Sequence, residues 1–293
     1  MRDYWKLNEF IEIHTPKLMA TASESGAELF EVGYFNQKAY LAQSPQFYKQ
    51  MAMASGFDRV FEIAPVFRAN PSFTSRHNTE FTSVDVEISW VASHEDVMQF
   101  EERWIQHTLT RVSKTFGDRI LETFGTDVVI PKVPFPRISM SEAMKVLAEK
   151  GHINGRGGDL DPAGERSLCE HIKEAFDHEF VFVTDYPFAV RPFYHVRQEG
   201  AIDSRKALTF SGKAGGHDRS TARTSAGSAG KAGHRKRVGP GTHRILSRFL
   251  SLWLSTTHGG FGFGLTRMLM VLLGLPALRD TTFLVRTPNR LSP

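Results

Sequence analysis

The chain contains little cysteine and no long apolar run, and both absences limit the classes of protein to which it can belong. Its 293 residues include one cysteine, Cys169, which excludes an internal disulfide and favours a reducing compartment. No apolar run reaches the roughly 18 residues that a membrane-spanning helix needs. The first residues alternate charged with apolar side chains, unlike a signal peptide. We therefore expect a cytoplasmic globular protein with no membrane segment.

Acidic residues are almost missing from the segment between Ser204 and Arg244. This segment holds ten of the 36 lysines and arginines but only one of the 32 acids, so the remainder carries 26 basic and 31 acidic residues. A basic run of this kind can bind nucleic acid through counterion release. Phe210 is its one aromatic residue, however, so base stacking is poorly provided for. The segment is weak evidence for an evolved nucleic-acid site.

Apolar periodicity in the rest of the chain predicts strands that pair through hairpins, with helices around them. Residues 58–69 and 80–91 alternate like two strands joined by a polar loop, which predicts an antiparallel hairpin. Residues 95–117 show the spacing of a long amphipathic helix, and residues 264–275 that of a buried one. This pattern favours an α+β fold, an antiparallel β-sheet flanked by helices, over a doubly wound parallel sheet.

The predicted hairpin carries the strongest chemical signal. Arg68 ends its first strand, Arg76 and His77 lie in its loop, and Phe81 begins its return strand. Guanidinium groups grip phosphate oxygens bidentately, so two arginines and a histidine on one groove suit a polyphosphate. The aromatic ring offers a platform for a base. A solvated, charged hairpin loop accounts for the same residues equally well.

A second signal is the glycine-spaced segment HGGFGFGLTR, residues 258–267, which we interpret as a turn leading into a helix. Gly260, Gly262 and Gly264 let the backbone come close to a ligand or to another strand. Arg267 lies three residues further on. Packing at a helix start with a surface arginine is the plainer alternative.

A third signal is AQSPQFYKQ, residues 42–50. Ser44 fits an N-cap and Pro45 a first helical residue. Gln46 and Lys49 are then three residues apart on one helix face, where Lys49 could neutralise a substrate carboxylate. An ordinary amphipathic helix start is again the alternative.

The three signals occur in order, and together they resemble a known family. IEIHTP, then FRA with TSRHNTEFTSVDVE, then GFGFGLTR resemble the three signature motifs of class II aminoacyl-tRNA synthetases. The residues between them are similar to those of the archaeal-type aspartyl-tRNA synthetases, over roughly residues 1–205 and 257–293. The resemblance implies the class II catalytic fold. It also implies ATP-dependent activation of aspartate to aspartyl-adenylate, and transfer to tRNA(Asp) or to tRNA(Asn) as well.

The resemblance also implies roles for individual residues. Arg68 and Arg267 would be catalytic, with Arg68 on the ATP α-phosphate stabilising the charge that develops there. Mg²⁺ would bridge the phosphates, and no residue of this chain is assigned as its ligand. A cytoplasmic homodimer is implied, with Pro16 at its interface. The implied ATP-binding residues are Arg68, Arg76, His77, Phe81, Gly264 and Arg267. The implied aspartate-binding residues are Glu28, Ser44, Gln46, Lys49 and Asp85, with Lys49 on the side-chain carboxylate.

The sequence departs from the family in several places. The family's N-terminal anticodon-binding β-barrel, an OB domain, is not present, so we interpret residues 1–293 as an N-terminally truncated catalytic domain. The arginine–x–glutamate of the second motif is here Arg68–Ala69–Asn70. The acidic residue that usually precedes the arginine of the third motif is here Thr266.

The largest departure is the basic, low-complexity segment 211–257. In the family this region carries a Mg²⁺-binding glutamate, a Gly-Gln-Arg turn whose arginine holds the aspartate side chain, and a run resembling FFRYGYPPHGGFG. A one-base shift in suitable codons for residues 249–257, FLSLWLSTT, produces FFRYGYPP. We therefore predict that residues 211–257 are frame-shifted and irregular and that activity is impaired. A genuine basic insertion that binds tRNA is the alternative.

The sequence is also compatible with two other functions. One is a stand-alone synthetase paralogue that forms an amino-acid adenylate for another purpose, such as asparagine synthesis. The other is a non-catalytic, basic RNA-binding remnant.

Overall fold

The computed structural model describes residues 1–21, 29–70, 77–152, 159–187 and 257–292, together with the backbone of four short strands between residues 204 and 229. The α-helices are α1 Arg2–Leu7, α2 Gln46–Ala54, α3 His94–Phe124, α4 Met140–Glu149, α5 Pro162–Phe176 and α6 Leu265–Leu272, followed by a 3-10 helix at Leu278–Thr281. The strands are β1 Ile11–Glu12, β2 Leu18–Met19, β3 Glu31–Tyr34, β4 Gln37–Leu41, β5 Arg59–Phe67, β6 Glu80–Ser89, β7 Arg137–Ser139, β8 Phe180–Thr184, β9 Tyr186–Pro187, β10 Ser204–Arg205, β11 Leu208–Ser211, β12 Thr221–Thr224, β13 Gly227–Ala229 and β14 His258–Gly264.

Nine of the described strands form one large sheet in the order β1-β5-β6-β14-β12-β11-β8-β7, with β13 paired beside β14, and β9 pairs separately with β10. Its central pairs are antiparallel, and the two outer pairs, β1 with β5 and β7 with β8, are parallel. Strands β2, β4 and β3 form a separate small sheet. The predicted α+β fold, an antiparallel sheet flanked by helices, is confirmed.

The predicted hairpin and the long helix are confirmed as well. Strands β5 and β6 pair over nine residues each, from Arg59 opposite Ile88 to Phe67 opposite Glu80. Helix α3 begins after Ser93, whose side chain forms a capping box with Asp96, and it ends at Gly125 in the left-handed conformation. It therefore continues beyond the predicted residue 117.

One face of the hairpin builds the main core. Val84, Val86 and Ile88 of β6 are buried in a cluster with aromatic side chains of α1, α3 and β14. Trp5 stacks on Trp104 of α3 at 5.2 Å between ring centroids, and Trp104 lies 5.3 Å from Phe261. Because side chains alternate across a strand, the residues between these valines lie on the opposite face of the sheet.

The glycine-spaced segment is a strand and not a turn, so that interpretation was wrong. His258–Gly264 pairs with β6 along its full length, with Gly260 opposite Glu87, Gly262 opposite Asp85 and Gly264 opposite Ser83. The buried phenylalanines between these glycines, Phe261 and Phe263, anchor the segment in the core. Their burial outweighs the low strand preference of glycine.

Two further expectations need correction. Pro45, not Ser44, is the N-cap of α2, and the Ser44 hydroxyl accepts only a long bond of 3.4 Å from the Gln46 amide. Residues 211–257 are not irregular throughout, because β12 and β13 pair with β11 and β14. Backbone pairing needs no particular side chain, so a polar sequence can supply it. Most of the remaining residues of that segment lie outside the described chain.

Candidate active site

The polar face of the central strands meets helix α2 at a buried cluster of charged side chains. Ser83, Asp85 and Glu87 alternate along β6 on the face opposite the core, and Lys49 of α2 reaches them. Lys49, Asp85 and Glu87 are each at most 3% exposed. We call these residues, with His258 of β14, the Lys49 cluster.

The ammonium of Lys49 is surrounded by oxygen atoms. Its Nζ lies 3.3 Å from Asp85 Oδ1 and 3.4 Å from Glu87 Oε2. It donates in addition to the carbonyl oxygens of Val86 at 3.2 Å and Phe261 at 3.4 Å. The lysine is therefore a buried positive charge held between two carboxylates.

Each carboxylate is also held by a second, shorter bond on its outer side. Ser83 donates its hydroxyl to Asp85 Oδ2 at 2.5 Å. His258 Nδ1 lies 2.6 Å from Glu87 Oε1, and an ionised carboxylate can only accept, so the histidine donates. His258 is fully buried, and within the described part of the chain its Nε2 atom has no hydrogen-bond partner.

Electrostatics favour the charged forms of Lys49 and Glu87. Burial by itself lowers the pKa of Lys49, but the carboxylates of Asp85 and Glu87 outweigh it, and the pKa lies above its ordinary value. Burial would raise the pKa of Glu87, but Lys49 and His258 outweigh it, and that pKa is lowered. Lys49 and Glu87 are therefore both charged in the folded chain, as an ammonium and a carboxylate in contact.

The glycines of β14 have no side chain, so they leave room for the carboxylates of the cluster. A Cβ atom on Gly260 would lie 2.0 Å from the Val86 carbonyl oxygen and 2.4 Å from Glu87 Oε2. On Gly262 it would lie 3.0 Å from Asp85 Oδ1. The close approach expected of these glycines is confirmed, and the partner is the neighbouring strand.

We expect the substitution Gly260→Ala to destabilise the protein by about 3 kcal/mol, because the new methyl group meets backbone that cannot move aside. The measurement is chemical denaturation followed by circular dichroism. Gly117→Ala in helix α3 is the control, since its Cβ would make only an ordinary contact of 3.6 Å with Ser113 Oγ. That control should be stabilised by about 0.5–1 kcal/mol. Equal stability of the two variants would contradict the packing argument.

The hairpin places Arg68 beside Phe81. The Arg68 guanidinium carbon lies 5.5 Å from the centre of the Phe81 ring, a cation–π contact. The Arg68 amide donates to Thr79, whose own amide donates to the carbonyl of Arg286 near the end of the chain. These bonds fix the base of the hairpin. The arginine and aromatic ring expected at the nucleotide are thus neighbours.

The other expected site residues are placed as follows. Gly264 is the N-cap of α6, and the half-buried Arg267 lies in the first turn of that helix, against Gly264. Ser44 is buried beside the start of α2, and Gln46 is its first residue. His77 is half-buried before β6. Glu28 and Arg76 lie outside the described residues.

Sequence reasoning missed Ser83, Glu87 and His258 as members of the site. The signal for Ser83 and Glu87 was available in SVDVE, where every second residue is polar while the valines between them are apolar. It also missed Glu62, which is 2% exposed on β5 and accepts from the amide and hydroxyl of Thr15, both at 2.7 Å, and from Lys17 at 2.9 Å. This contact ties the loop around Pro16 to the sheet.

Two kinds of feature are absent from the described residues. No group of three or more His, Cys, Asp or Glu side chains there could hold a metal ion. None of the described helices is both long and apolar enough to cross a membrane.

Comparison with known proteins gives a consistent result. The sequence profile of the class II tRNA synthetases (D, K and N) matches residues 1–214. The chain is 38% identical to an aspartate–tRNA(Asp/Asn) ligase of Aeropyrum pernix, over all of this chain and 66% of that protein. It is 36% identical to an aspartate–tRNA(Asp) ligase of Thermococcus kodakarensis, over all of this chain and 67% of that one. The chain thus spans about two thirds of the length of these relatives.

Solved structures agree with the sequence relatives. An asparaginyl-tRNA synthetase from Pyrococcus horikoshii, complexed with asparaginyl-adenylate, superposes with a TM-score of 0.82 at 30% identity, over all of this chain and 67% of that one. An aspartyl-tRNA synthetase from Entamoeba histolytica superposes with a TM-score of 0.77 at 28% identity, over all of this chain and 57% of that one.

Proposed function

Because the chain belongs to the class II aminoacyl-tRNA synthetases of the aspartate, lysine and asparagine group, we propose that it activates aspartate with ATP and transfers the aspartyl group to tRNA. The observation that carries the choice of amino acid is the buried ammonium of Lys49 between Asp85 and Glu87. An ammonium can only donate, so it suits a carboxylate side chain, which accepts with both oxygens, better than an amide, which accepts with one. The names of the curated relatives, aspartate–tRNA ligases, support the same choice.

In the proposed reaction, Lys49 binds the side-chain carboxylate of aspartate, and Asp85 accepts from the substrate ammonium. Ser44, Gln46 and Glu28 would complete the ammonium site. An oxygen of the substrate α-carboxylate attacks the α-phosphorus of ATP, and the bond to pyrophosphate breaks. Arg68 offsets the negative charge that develops on the α-phosphate, which requires no proton transfer. In the second step a tRNA hydroxyl attacks the aspartyl carbonyl, and AMP leaves.

ATP would lie between the hairpin and α6. Phe81 offers its ring to adenine, Arg76 and His77 would bind the outer phosphates, and Gly264 and Arg267 would approach from the opposite side. The contact of Arg68 with the Phe81 ring supports this placement, since it brings the phosphate ligand and the base platform together.

The family uses ATP with Mg²⁺, but the described residues do not form a preformed cation site. Asp85 and Glu87 form ion pairs with Lys49, and they accept hydrogen bonds from Ser83 and His258. Mg²⁺ keeps most of its water and binds largely through substrate phosphates, so it would be carried by ATP. We assign no protein ligand to it and no step of the reaction.

The proposed partners follow from the same family. tRNA(Asp), or tRNA(Asn) as well, would accept the aspartyl group. A second copy of the chain would pack near Pro16, where the bonds from Thr15 and Lys17 to Glu62 connect the loop with the sheet.

We also propose that residues 211–257 are out of frame. The match to the family profile stops at residue 214, just inside this segment, which supports the proposal. The resemblance then implies that two charged groups of the intact family are replaced, the metal-binding glutamate and the arginine that holds the aspartate side chain. Activity of this chain would be low for that reason.

The proposed function is tested by amino-acid-dependent exchange of pyrophosphate into ATP, with aspartate, asparagine and lysine compared. We expect measurable but slow exchange with aspartate and none above background with lysine. Exchange with asparagine alone would overturn the choice of substrate. Exchange with aspartate but no charging of tRNA would favour the stand-alone paralogue. Tight, salt-sensitive RNA binding without any exchange would favour the RNA-binding remnant.

A further inference from the structure

The Lys49 cluster has an unusual distribution of bond lengths. The four oxygen atoms around Lys49 Nζ lie at 3.2–3.4 Å. Charge-assisted bonds between an ammonium and a carboxylate are ordinarily about 2.7–2.9 Å. The ammonium is therefore centred among its acceptors and bound closely by none of them. Its three N–H groups are shared among four long contacts, so an acceptor on a ligand can replace one of these contacts with a shorter bond.

The carboxylates around Lys49 are held from their outer sides. Ser83 binds one oxygen of Asp85 at 2.5 Å, and His258 binds one oxygen of Glu87 at 2.6 Å. In each carboxylate the second oxygen faces Lys49. The short outer bonds prevent the carboxylates from closing onto the lysine.

We propose that His258 and Ser83 are positioning residues that set amino-acid specificity through Glu87 and Asp85, and this proposal rests on the proposed function. An asparagine side chain carries an NH₂ group that needs an acceptor. His258 occupies one oxygen of Glu87 and Lys49 faces the other, so this carboxylate offers little to an amide. An aspartate carboxylate needs only donors, and Lys49 supplies them.

The glycine opposite Glu87 makes this arrangement possible. Gly260 lies across from Glu87 in the sheet, and a Cβ there would come within 2.4 Å of Glu87 Oε2. The carboxylate therefore packs directly on the backbone of β14, two residues from His258. The histidine and the glycine together define one orientation for Glu87.

The matched variants are His258→Asn and His258→Leu. The Nδ2 atom of asparagine occupies nearly the position of histidine Nδ1, so His258→Asn keeps the donor to Glu87. Leucine has nearly the same shape as asparagine but has no donor. Both remove the ring and its Nε2 atom, so a difference between them reports the bond to Glu87 alone.

The test measures equilibrium dissociation constants for aspartate and for asparagine by calorimetry on the full chain. We expect His258→Leu to reduce the preference for aspartate by about tenfold to a hundredfold, the effect of one hydrogen bond to a charged group. His258→Asn should stay within about threefold of the unmodified chain. Ser83→Ala, at a half-buried position that tolerates alanine, should lower the same ratio less.

A second measurement separates failure of this proposal from failure of the proposed function. The ¹⁵N resonance of the Lys49 side chain reports its environment without any substrate. We expect it to shift in His258→Leu and to stay in place in His258→Asn. If neither amino acid binds any variant, the proposed function is wrong for this chain. The ¹⁵N resonance of Lys49 then shows by itself whether His258 positions Glu87. An unchanged ratio or an unchanged resonance in His258→Leu would overturn the proposal.

Discussion

Replacing Lys49 by methionine is expected to abolish aspartate binding and to destabilise the fold by about 3–5 kcal/mol. Methionine fills a similar volume but leaves Asp85 and Glu87 facing each other without the ammonium that lies between them. Removing one partner of a buried ion pair leaves an uncompensated charge, which accounts for this magnitude. Calorimetric titration with aspartate and denaturation by urea measure the two effects.

The same substitution should alter how stability depends on pH. Because the pKa of Glu87 is lowered in the folded chain, its ionised carboxylate contributes stability at pH values above the ordinary pKa of 4.5. This contribution is lost as the pH falls through the pKa of the folded chain. Without Lys49, burial is expected to raise the pKa of Glu87, so this carboxylate binds a proton more readily than in the unfolded chain. Stability of Lys49→Met should therefore rise as the pH is lowered from 7 towards 5, opposite in sign to the Glu87 contribution in the unmodified chain.

Lys38→Met is the control for Lys49→Met. Lys38 forms an ion pair with Glu31 at 2.9 Å, but its side chain is 72% exposed. Water screens such a pair, so no measurable change in stability or in aspartate binding is expected. A similar loss in both variants would show that general charge, and not the buried cluster, is responsible.

Restoring the reading frame between codons 211 and 257 is expected to raise aspartate-dependent pyrophosphate exchange by about a thousandfold or more. The family's metal-binding glutamate and aspartate-holding arginine would return with the frame. Each buried charge partner of this kind typically contributes about 2–5 kcal/mol, so the two together contribute about 4–10 kcal/mol, and the lower end of that range corresponds to roughly a thousandfold. Resequencing of the gene is the first measurement, and exchange by the corrected chain is the second.

The uncorrected chain is the control for the corrected one. The two chains have identical site residues outside residues 211–257, so a difference in pyrophosphate exchange reports that segment. If resequencing returns the present residues 211–257 unchanged, the frame-shift proposal is wrong. Exchange by the present chain at the rate of an intact relative would do so as well. In either case the alternative of a genuine basic insertion would gain support, and a tRNA-binding measurement with and without the segment would follow.

The alternation in SVDVEIS was sufficient to predict strand β6 and the separation of its two faces. Valines at every second position have to be buried, so the polar residues between them share the opposite face. The three ordered motifs were likewise sufficient to identify the family. These features are local or depend on residue identity, and no tertiary information was needed for them.

The tertiary structure decided the features that depend on contacts between distant segments. The glycine-spaced segment looked like a turn because glycine favours turns, but pairing with β6 and the burial of Phe261 make it a strand. The bond of His258 to Glu87 joins residues 171 positions apart, which periodicity does not report. The sequence by itself determined the family and the antiparallel hairpin of the sheet, and its candidate site residues remain predictions. Only the tertiary structure determined that Lys49 is centred between two carboxylates, because that geometry arises where helix α2 packs on two paired strands.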